Sequence, residues 1–365
     1  MSVGELPPLL VSGRLDRLRE RLAQLPVEAL VLHRLVDVRW LTGFTGTAGL
    51  AVVTPDDALL VTDPRYGERA EGELGSSAAE VRIEVAAHER QRELVDAALV
   101  GHRVGVDATA LTWEQARELS AGPAASVEPV GAVVAGLRTI KDAAEIARMR
   151  AAAAVADEAL ATVRPSLADR PTEAEVARAL DRAMEDRGAD GPGYGTIVAS
   201  GPNAALPHAA PGDRVIGEGD TVIIDVGAEV DGYRSDMTRS FVIGEPDADQ
   251  ELWLDAVQQA QEAAVDRVRP GATGVEVHEV AVAALAEHGL REAFVHGVGH
   301  GVGLVIHEDP FLARSDEPLR PGQVVTVEPG VYLPGRGGVR WEDLLLVTDD
   351  EPEALTSSPK DPIVR

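Results

Sequence analysis

Between Thr221 and Ile243 the chain reads TVIIDVGAEVDGYRSDMTRSFVI, two β-rich runs joined by Asp231-Gly232. Asp-Gly between such runs is the strongest short hairpin signal, because the two-residue turn that matches strand twist needs positive φ at both positions. With that pair as the turn, opposed positions add up to 463, so Asp225 faces Thr238 and Asp236 faces Gly227. Side chains alternate along a strand, which puts both aspartates on one face as diagonal neighbours, roughly 7 to 8 Å apart at the backbone. Either aspartate alone reads as an exposed strand residue or a turn cap. As a pair they read differently. Asp225 ends the apolar run VII, where a buried carboxylate must be paired or metal-bound, and two neighbouring carboxylates repel unless a cation or proton lies between them. Carboxylates leaning together from these positions can clasp two metals about 3.5 to 4 Å apart.

The chain has no cysteine, so a metal here must be held by His, Asp and Glu. Its formal charge of −27 repels phosphate backbones and anionic membranes and attracts divalent cations. No basic segment followed by a long apolar run opens the sequence, and no apolar stretch is long enough for a membrane helix, so a cytoplasmic protein is expected.

At 365 residues two domains are the default. From Leu15 to about Pro129, helical patterns such as RLDRLRERLAQL alternate with short apolar runs such as EALVLH and ALLVTD, which predicts a small α/β domain over residues 1–135. A second domain over 136–365 opens with an Ala-rich helix from Asp142 to about Val163, closed by Pro165. Thr172 with Glu175, and Thr273 with Glu276, have capping-box spacing and predict two more helices, stopped at Gly188 and Gly289.

The stretch HGVGHGVGLVIHE, His296 to Glu308, has glycines at 297, 299, 301 and 303. They disfavour a helix and indicate an irregular strand or loop with backbone packed close to another element. It is no dinucleotide fingerprint, since Val302 and Leu304 stand where glycine is needed, and no zincin motif, since position 311 is Phe. A lone histidine among apolar residues is usually a hydrogen-bonded core residue. Three at one glycine-rich site point to metal ligation and proton transfer. Downstream, Glu328 ends the run QVVTV before Pro-Gly, and Glu342 lies in GVRWEDLLLV with Arg340 two residues earlier on the same face. Two aspartates, two glutamates and a histidine make an oxygen-rich set suited to two Mn²⁺, Co²⁺ or Zn²⁺ ions.

The words DVGAEVDGYRSDMTR, HGVGHGVGLVIHE, TVEPGVY and GVRWEDLLLV, together with NAALPHAAPGD, LRTIKDAAEI and VRWLTGFTGTAG, resemble the M24-type metallopeptidases with the pita-bread fold. The likeness is nearest to Xaa-Pro dipeptidases (prolidases) and Xaa-Pro aminopeptidases. It implies a mixed α/β (α+β) chain, a small N-terminal creatinase-like domain followed by a pita-bread catalytic domain. It also implies that Asp225 binds one metal, that His300 and Glu328 bind the second, and that Asp236 and Glu342 bridge them. His208, His296 and His307 match histidines that contact substrate and the tetrahedral intermediate, and Arg340 matches an arginine beside the last ligand. The implied reaction is attack by a metal-bridging hydroxide on the carbonyl before proline, with Glu328 shuttling its proton. Mn²⁺ is the first choice of ion, with Co²⁺, Zn²⁺ or Fe²⁺ accepted by the same ligands. Expected partners are proline-containing dipeptides or short peptides, and a second copy of the chain. The loop around Trp40 to Thr47 is expected as a lip over the neighbouring subunit's site.

One departure concerns substrate length. Many prolidases carry an arginine shortly after the HE pair to grip the dipeptide carboxylate, whereas Phe311 stands there in HEDPFLARSD, with Arg314 close by. The reading leans to a dipeptidase and leaves an aminopeptidase for longer peptides open. A metal-free peptide-binding module of the same fold is the rival of a different class; such modules lack ligand residues, and all five are present here.

Overall fold

The computed structural model describes residues 3–9, 11–75, 78 and 80–365. Its chain divides into two compact units, one of Pro8–Arg138 and one of Thr139–Arg365 with the short segment up to Pro7.

In the first unit a six-stranded sheet has the order β4-β3-β2-β1-β5-β6. Its strands are β1 (Ala29–Leu32), β2 (Gly49–Val53), β3 (Ala58–Thr62), β4 (Arg82–Val85), β5 (Arg103–Val106) and β6 (Ser126–Pro129). Six helices accompany it: α1 (Arg14–Leu22), α2 (Leu35–Thr42), α3 (Gly67–Leu74), α4 (His88–Leu99), α5 (Trp113–Ser120) and α6 (Val133–Arg138). Every residue of β1 and β3 is buried, which explains why those runs are continuously apolar rather than alternating. Helix α1 buries Leu15, Leu18 and Leu22, one stripe at three- and four-residue spacing. The Trp40–Thr47 segment is held within its own unit. Trp40 and Phe44 are buried, the Thr45 amide donates to Glu73 at 2.8 Å, and the Thr47 hydroxyl meets the Tyr66 hydroxyl at 2.5 Å. The two large rings therefore lie in this domain's core.

The second unit is built on α7 (Ala143–Val163), α8 (Glu173–Glu185), α9 (Ala248–Arg267) and α10 (Gly274–Glu287). All four open with a capping box, at Asp142/Glu145, Thr172/Glu175, Asp247/Gln250 and Thr273/Glu276. In each, the cap side chain and the residue three positions later satisfy free amides of the first turn. The alanines of α7 let it lie close to α8 and to a sheet, sharing a core with Val198, Val222, Ile224 and Phe241.

The strands are β7 (Gly191–Pro192), β8 (Ile197–Ser200), β9 (Thr221–Asp225), β10 (Ala228–Val230), β11 (Tyr233–Arg234) and β12 (Thr238–Ile243), then β13 (Val324–Val327), β14 (Gly330–Leu333), β15 (Gly337–Arg340), β16 (Asp343–Leu346), β17 (Glu353–Ala354) and β18 (Ile363–Val364). They pair as β18-β12-β9-β8, β11-β10-β7, β13-β16-β17 and β14-β15. The central hairpin has the expected register, with Thr238 opposite Asp225 and Val230 opposite Tyr233. Asp231 and Gly232 both take positive φ, 46° and 75°, as a primed turn demands. The run GVRWEDLLLV is not one strand. It breaks at Trp341-Glu342, where the chain leaves β14's partner β15 for β13's partner β16, and this puts Glu342 at a junction between sheets.

No helix among the described residues is long and apolar enough to cross a membrane.

Candidate metal centre and active site

Asp225 closes β9, and Asp236 lies in the short gap between β11 and β12. Glu342 comes from the β15–β16 break, and one carboxylate oxygen from each of the three lies within 4.8 Å of the others. The hairpin register and the sheet-changing break therefore aim three acidic side chains at one point. His300 completes the group, its Nε2 3.4 Å from Glu328 Oε1 and 3.7 Å from Asp236 Oδ2.

The glycine-rich run explains how His300 reaches this point. Residues 298–302 run alongside β13: Val302 N–H donates to Val324 O at 3.1 Å, Thr326 N–H to His300 O at 2.8 Å, and Glu328 N–H to Val298 O at 2.7 Å. A Cβ on Gly299 would stand 2.0 Å from the Thr326 carbonyl oxygen, and one on Gly301 would stand 2.3 Å from that of Asp309. Only glycine lets the histidine-bearing chain approach so closely.

Asp225, Asp236, Glu328, Glu342, His208, His296, His300, His307 and Arg340 all line one cavity of about 380 Å³, so every residue singled out from sequence comes together. Phe311 and Arg314 line it too. The rings of His300 and His307 lie 4.3 Å apart, edge to face.

Two residues that sequence reasoning missed tie the group together. The Tyr194 hydroxyl reaches Asp225 Oδ1 at 2.5 Å and Asp236 Oδ1 at 2.6 Å. Tyr332 takes a hydrogen bond from Arg340 Nη1 at 2.9 Å and meets His296 Nε2 at 2.8 Å. Tyr332 sits in the conspicuous word EPGVY and alternation from Glu328 would have suggested it; Tyr194, in GPGYGT, carries no comparable signal. Arg340 also holds Asp225 Oδ2 at 2.6 Å and the Thr238 hydroxyl at 2.9 Å, and Thr238 in turn donates to Glu342 at 2.6 Å.

Without a cation the acidic groups destabilise one another as charges. Burial, then the charges of Asp225 and Glu328, push the Asp236 carboxyl well above the ordinary aspartate range. Burial and the charges of Asp236, Glu328 and Asp225 do the same to Glu342. Burial also raises Asp225, although Arg340 and the Tyr194 hydrogen bond pull the other way. Burial lowers His296, and burial together with the charge of His300 lowers His307, which leaves both as neutral imidazoles near pH 7.

These shifts set a sign for stability. A carboxyl raised in the folded state keeps protons that the unfolded chain releases, so stability falls as pH climbs from the ordinary carboxylate range, near 4, through the raised values. His296 and His307, held below the ordinary imidazole range, act with the opposite sign over the same window, so the carboxyl contribution is read as a difference: on acidification from about pH 7 to about pH 5 the thermal midpoint of chelated parent protein is expected to gain relative to that of Asp236→Asn. Groups held below the ordinary range, such as Asp343, respond only below about pH 4. A parent midpoint that shows the same pH slope as Asp236→Asn in chelated protein contradicts the proposed repulsion.

The family model described as Metallopeptidase family M24 matches residues 147–349, and that of the Creatinase/Prolidase N-terminal domain matches residues 14–140. The Xaa-Pro dipeptidase of Pyrococcus furiosus is 32% identical, over 95% of this chain and 99% of that protein. Among solved structures, a Xaa-Pro dipeptidase from Bacillus anthracis superposes with a TM-score of 0.91 at 34% identity, covering 97% of this chain and 100% of that one. An X-Pro aminopeptidase from Thermotoga maritima gives 0.85 at 30% identity, covering 96% and 99%.

Proposed function

Because this chain belongs to metallopeptidase family M24, we propose that it hydrolyses the bond between an N-terminal residue and proline in dipeptides or short peptides. The observation that carries this reading is the convergence of Asp225, Asp236 and Glu342 within 4.8 Å, with His300 and Glu328 beside them. Buried carboxylates this close need positive charge among them. One imidazole nitrogen among oxygen donors suits divalent first-row cations, so Asp225, Asp236, His300, Glu328 and Glu342 fit a pair of such ions. Bound there, the ions would polarise the scissile carbonyl and acidify water, chemistry worth several kcal/mol at the transition state. Mn²⁺ as first choice, and a homodimer, rest on the sequence resemblance.

The chain's own groups divide the remaining work. The Glu328 carboxylate takes the proton of the attacking water and returns it to the leaving proline nitrogen. His208 and His307 line the cavity as hydrogen-bond donors to the oxygen that gains charge, while His296, whose Nδ1 lies 2.8 Å from the Gly297 carbonyl and whose Nε2 lies 2.8 Å from the Tyr332 hydroxyl, contributes to the cavity wall against which substrate rests. Tyr332 fixes the His296 ring through Nε2, and Arg340 fixes Tyr332 and Asp225.

Substrate length is decided at the mouth, where Phe311 and Arg314 both stand exposed. A dipeptide presents its proline carboxylate there, and Arg314 is the cation available to receive it. Leu-Pro is expected to be cleaved in preference to Leu-Pro-Ala, and Arg314→Ala is expected to raise KM for Leu-Pro about tenfold with little change in kcat. Equal or faster cleavage of Leu-Pro-Ala favours the second reading, an aminopeptidase, which the likeness to the Thermotoga maritima enzyme supports.

A further inference from the structure

We propose that Glu173 is a positioning residue that closes the base of the loop carrying His208. The proposal rests on the role given to His208 above.

Glu173 is the first residue of α8 and is wholly buried, at 0% exposure. Its Oε1 accepts the amide and the hydroxyl of Ser200, each at 2.8 Å, and Asn203 Nδ2 at 3.0 Å. Its Oε2 accepts Asn203 Nδ2 at 3.1 Å and the Gly212 amide at 3.2 Å. Ser200 ends β8 and Gly212 is where the chain returns, so a single carboxylate gathers both ends of the segment 200–212. Backbone bonds at the helix start reinforce the closure, from Glu173 N–H to Arg214 O and from Ala174 N–H to Gly212 O, both 3.0 Å.

The loop needs such a closure. Gly201, Ala204 and Ala205 are buried, with residues 201–205 packed toward β9, β14 and β15, whereas Leu206, His208 and Ala210 in the part that follows are exposed, and such a stretch opens locally at little cost. Ala204 and Ala209 turn inward, but small apolar groups give packing without direction. Beyond its base the loop is tethered by the Pro207 carbonyl, which accepts from Arg340 Nη1 at 3.3 Å, a long and therefore weak bond. The direction of the His208 side chain is thus set by the base together with the packing of Ala204 and Ala209, and the base supplies the directional bonds. Hydrogen bonds to a buried carboxylate are strong and directional, and a buried carboxylate left with empty acceptor sites is costly, so loop and anchor hold each other.

The test is a double-mutant cycle on the Mn²⁺-loaded full chain with Leu-Pro, using Glu173→Gln, His208→Ala and the double variant, with hydrogen–deuterium exchange over 201–212. Glutamine keeps the shape but turns one accepting oxygen into a donor, which faces Asn203 or the Gly212 amide. Glu173→Gln is expected to lower kcat/KM on the order of tenfold to a hundredfold, the size expected when a catalytic group is misplaced by about 1 Å. In the His208→Ala background the same change is expected to cost less than about twofold, and exchange over 201–212 is expected to speed up. Asn203→Ala, which removes a donor from the loop side alone, is expected to give the same coupling at smaller size and serves if Glu173→Gln does not fold. Equal losses in both backgrounds, or unchanged exchange, overturn the proposal. Wild-type activity in His208→Ala would instead contradict the role given to His208, and the exchange rates would still decide whether Glu173 holds the loop.

Discussion

Asp236→Ala is expected to lower kcat/KM for Leu-Pro by roughly 10³-fold or more while leaving the metal-free protein as stable as the parent or more so. The two effects have one cause. Asp236 is buried beside Asp225, Glu328 and Glu342, so its charge is costly in the chelated protein, and replacing it by a small apolar group removes that repulsion. The same charge is what a divalent cation would use. Losing several kcal/mol of electrostatic stabilisation of the transition state, at about 1.4 kcal/mol per factor of ten, yields the stated drop. Steady-state kinetics in saturating Mn²⁺ and thermal melts in chelator measure the two halves independently. Near-parental turnover at saturating metal contradicts the ligand role, and a lower midpoint in chelator contradicts the account of repulsion.

The second large effect lies behind the centre. Arg239 on β12 is 1% exposed and donates to Thr238 O at 3.0 Å, Glu342 O at 2.5 Å, Ser358 O at 2.8 Å and Asp343 Oδ1 at 2.7 Å. Burial by itself would raise the Asp343 carboxyl, yet Arg239 and Lys360 outweigh it and hold Asp343 below the ordinary range. Arg239→Met keeps the stem volume and removes all of these bonds, leaving two strands and the tail around Ser358 without their shared donor. A loss of about 3 to 5 kcal/mol is expected for breaking a buried ion pair of this kind, which for a unit of this size lowers the thermal midpoint by about 10 °C. Since Glu342 loses the bond to its own carbonyl, Mn²⁺ affinity is expected to fall with stability, and Arg239→Lys is expected to recover little, because one ammonium cannot serve four acceptors in a plane. A shift under about 2 °C would show that the network contributes little.

How legible all this was depends on how local each determinant is. The hairpin register followed from a two-residue turn and a period of two, and it holds through Asp225 and Thr238. The helix starts were readable because a capping box spans four residues. The glycine-rich histidine run showed in its composition that backbone must pass close to something, though only the fold identifies that something as β13. Tyr194 and Glu173 were missed for the opposite reason. Their partners lie 27 to 42 residues away, and an isolated tyrosine or a glutamate inside a helix cap has no pattern to distinguish it. The strand break at Glu342 was also missed: Glu342-Asp343, residue types that strands disfavour, interrupt the run GVRWEDLLLV, but nothing local shows that its two halves belong to different sheets.

On the proposed function, this acidic centre makes the chain a metal-dependent Xaa-Pro peptidase. The most direct test is to titrate chelated full-length protein with Mn²⁺ while following both bound metal and hydrolysis of Leu-Pro. Turnover is expected to be absent at the start and to rise to a plateau as about two ions bind per chain, with Asp236→Ala neither binding the full complement nor gaining activity. Undiminished hydrolysis in the chelated protein, or a chain that takes up Mn²⁺ to saturation and leaves both Leu-Pro and Leu-Pro-Ala intact, would contradict it.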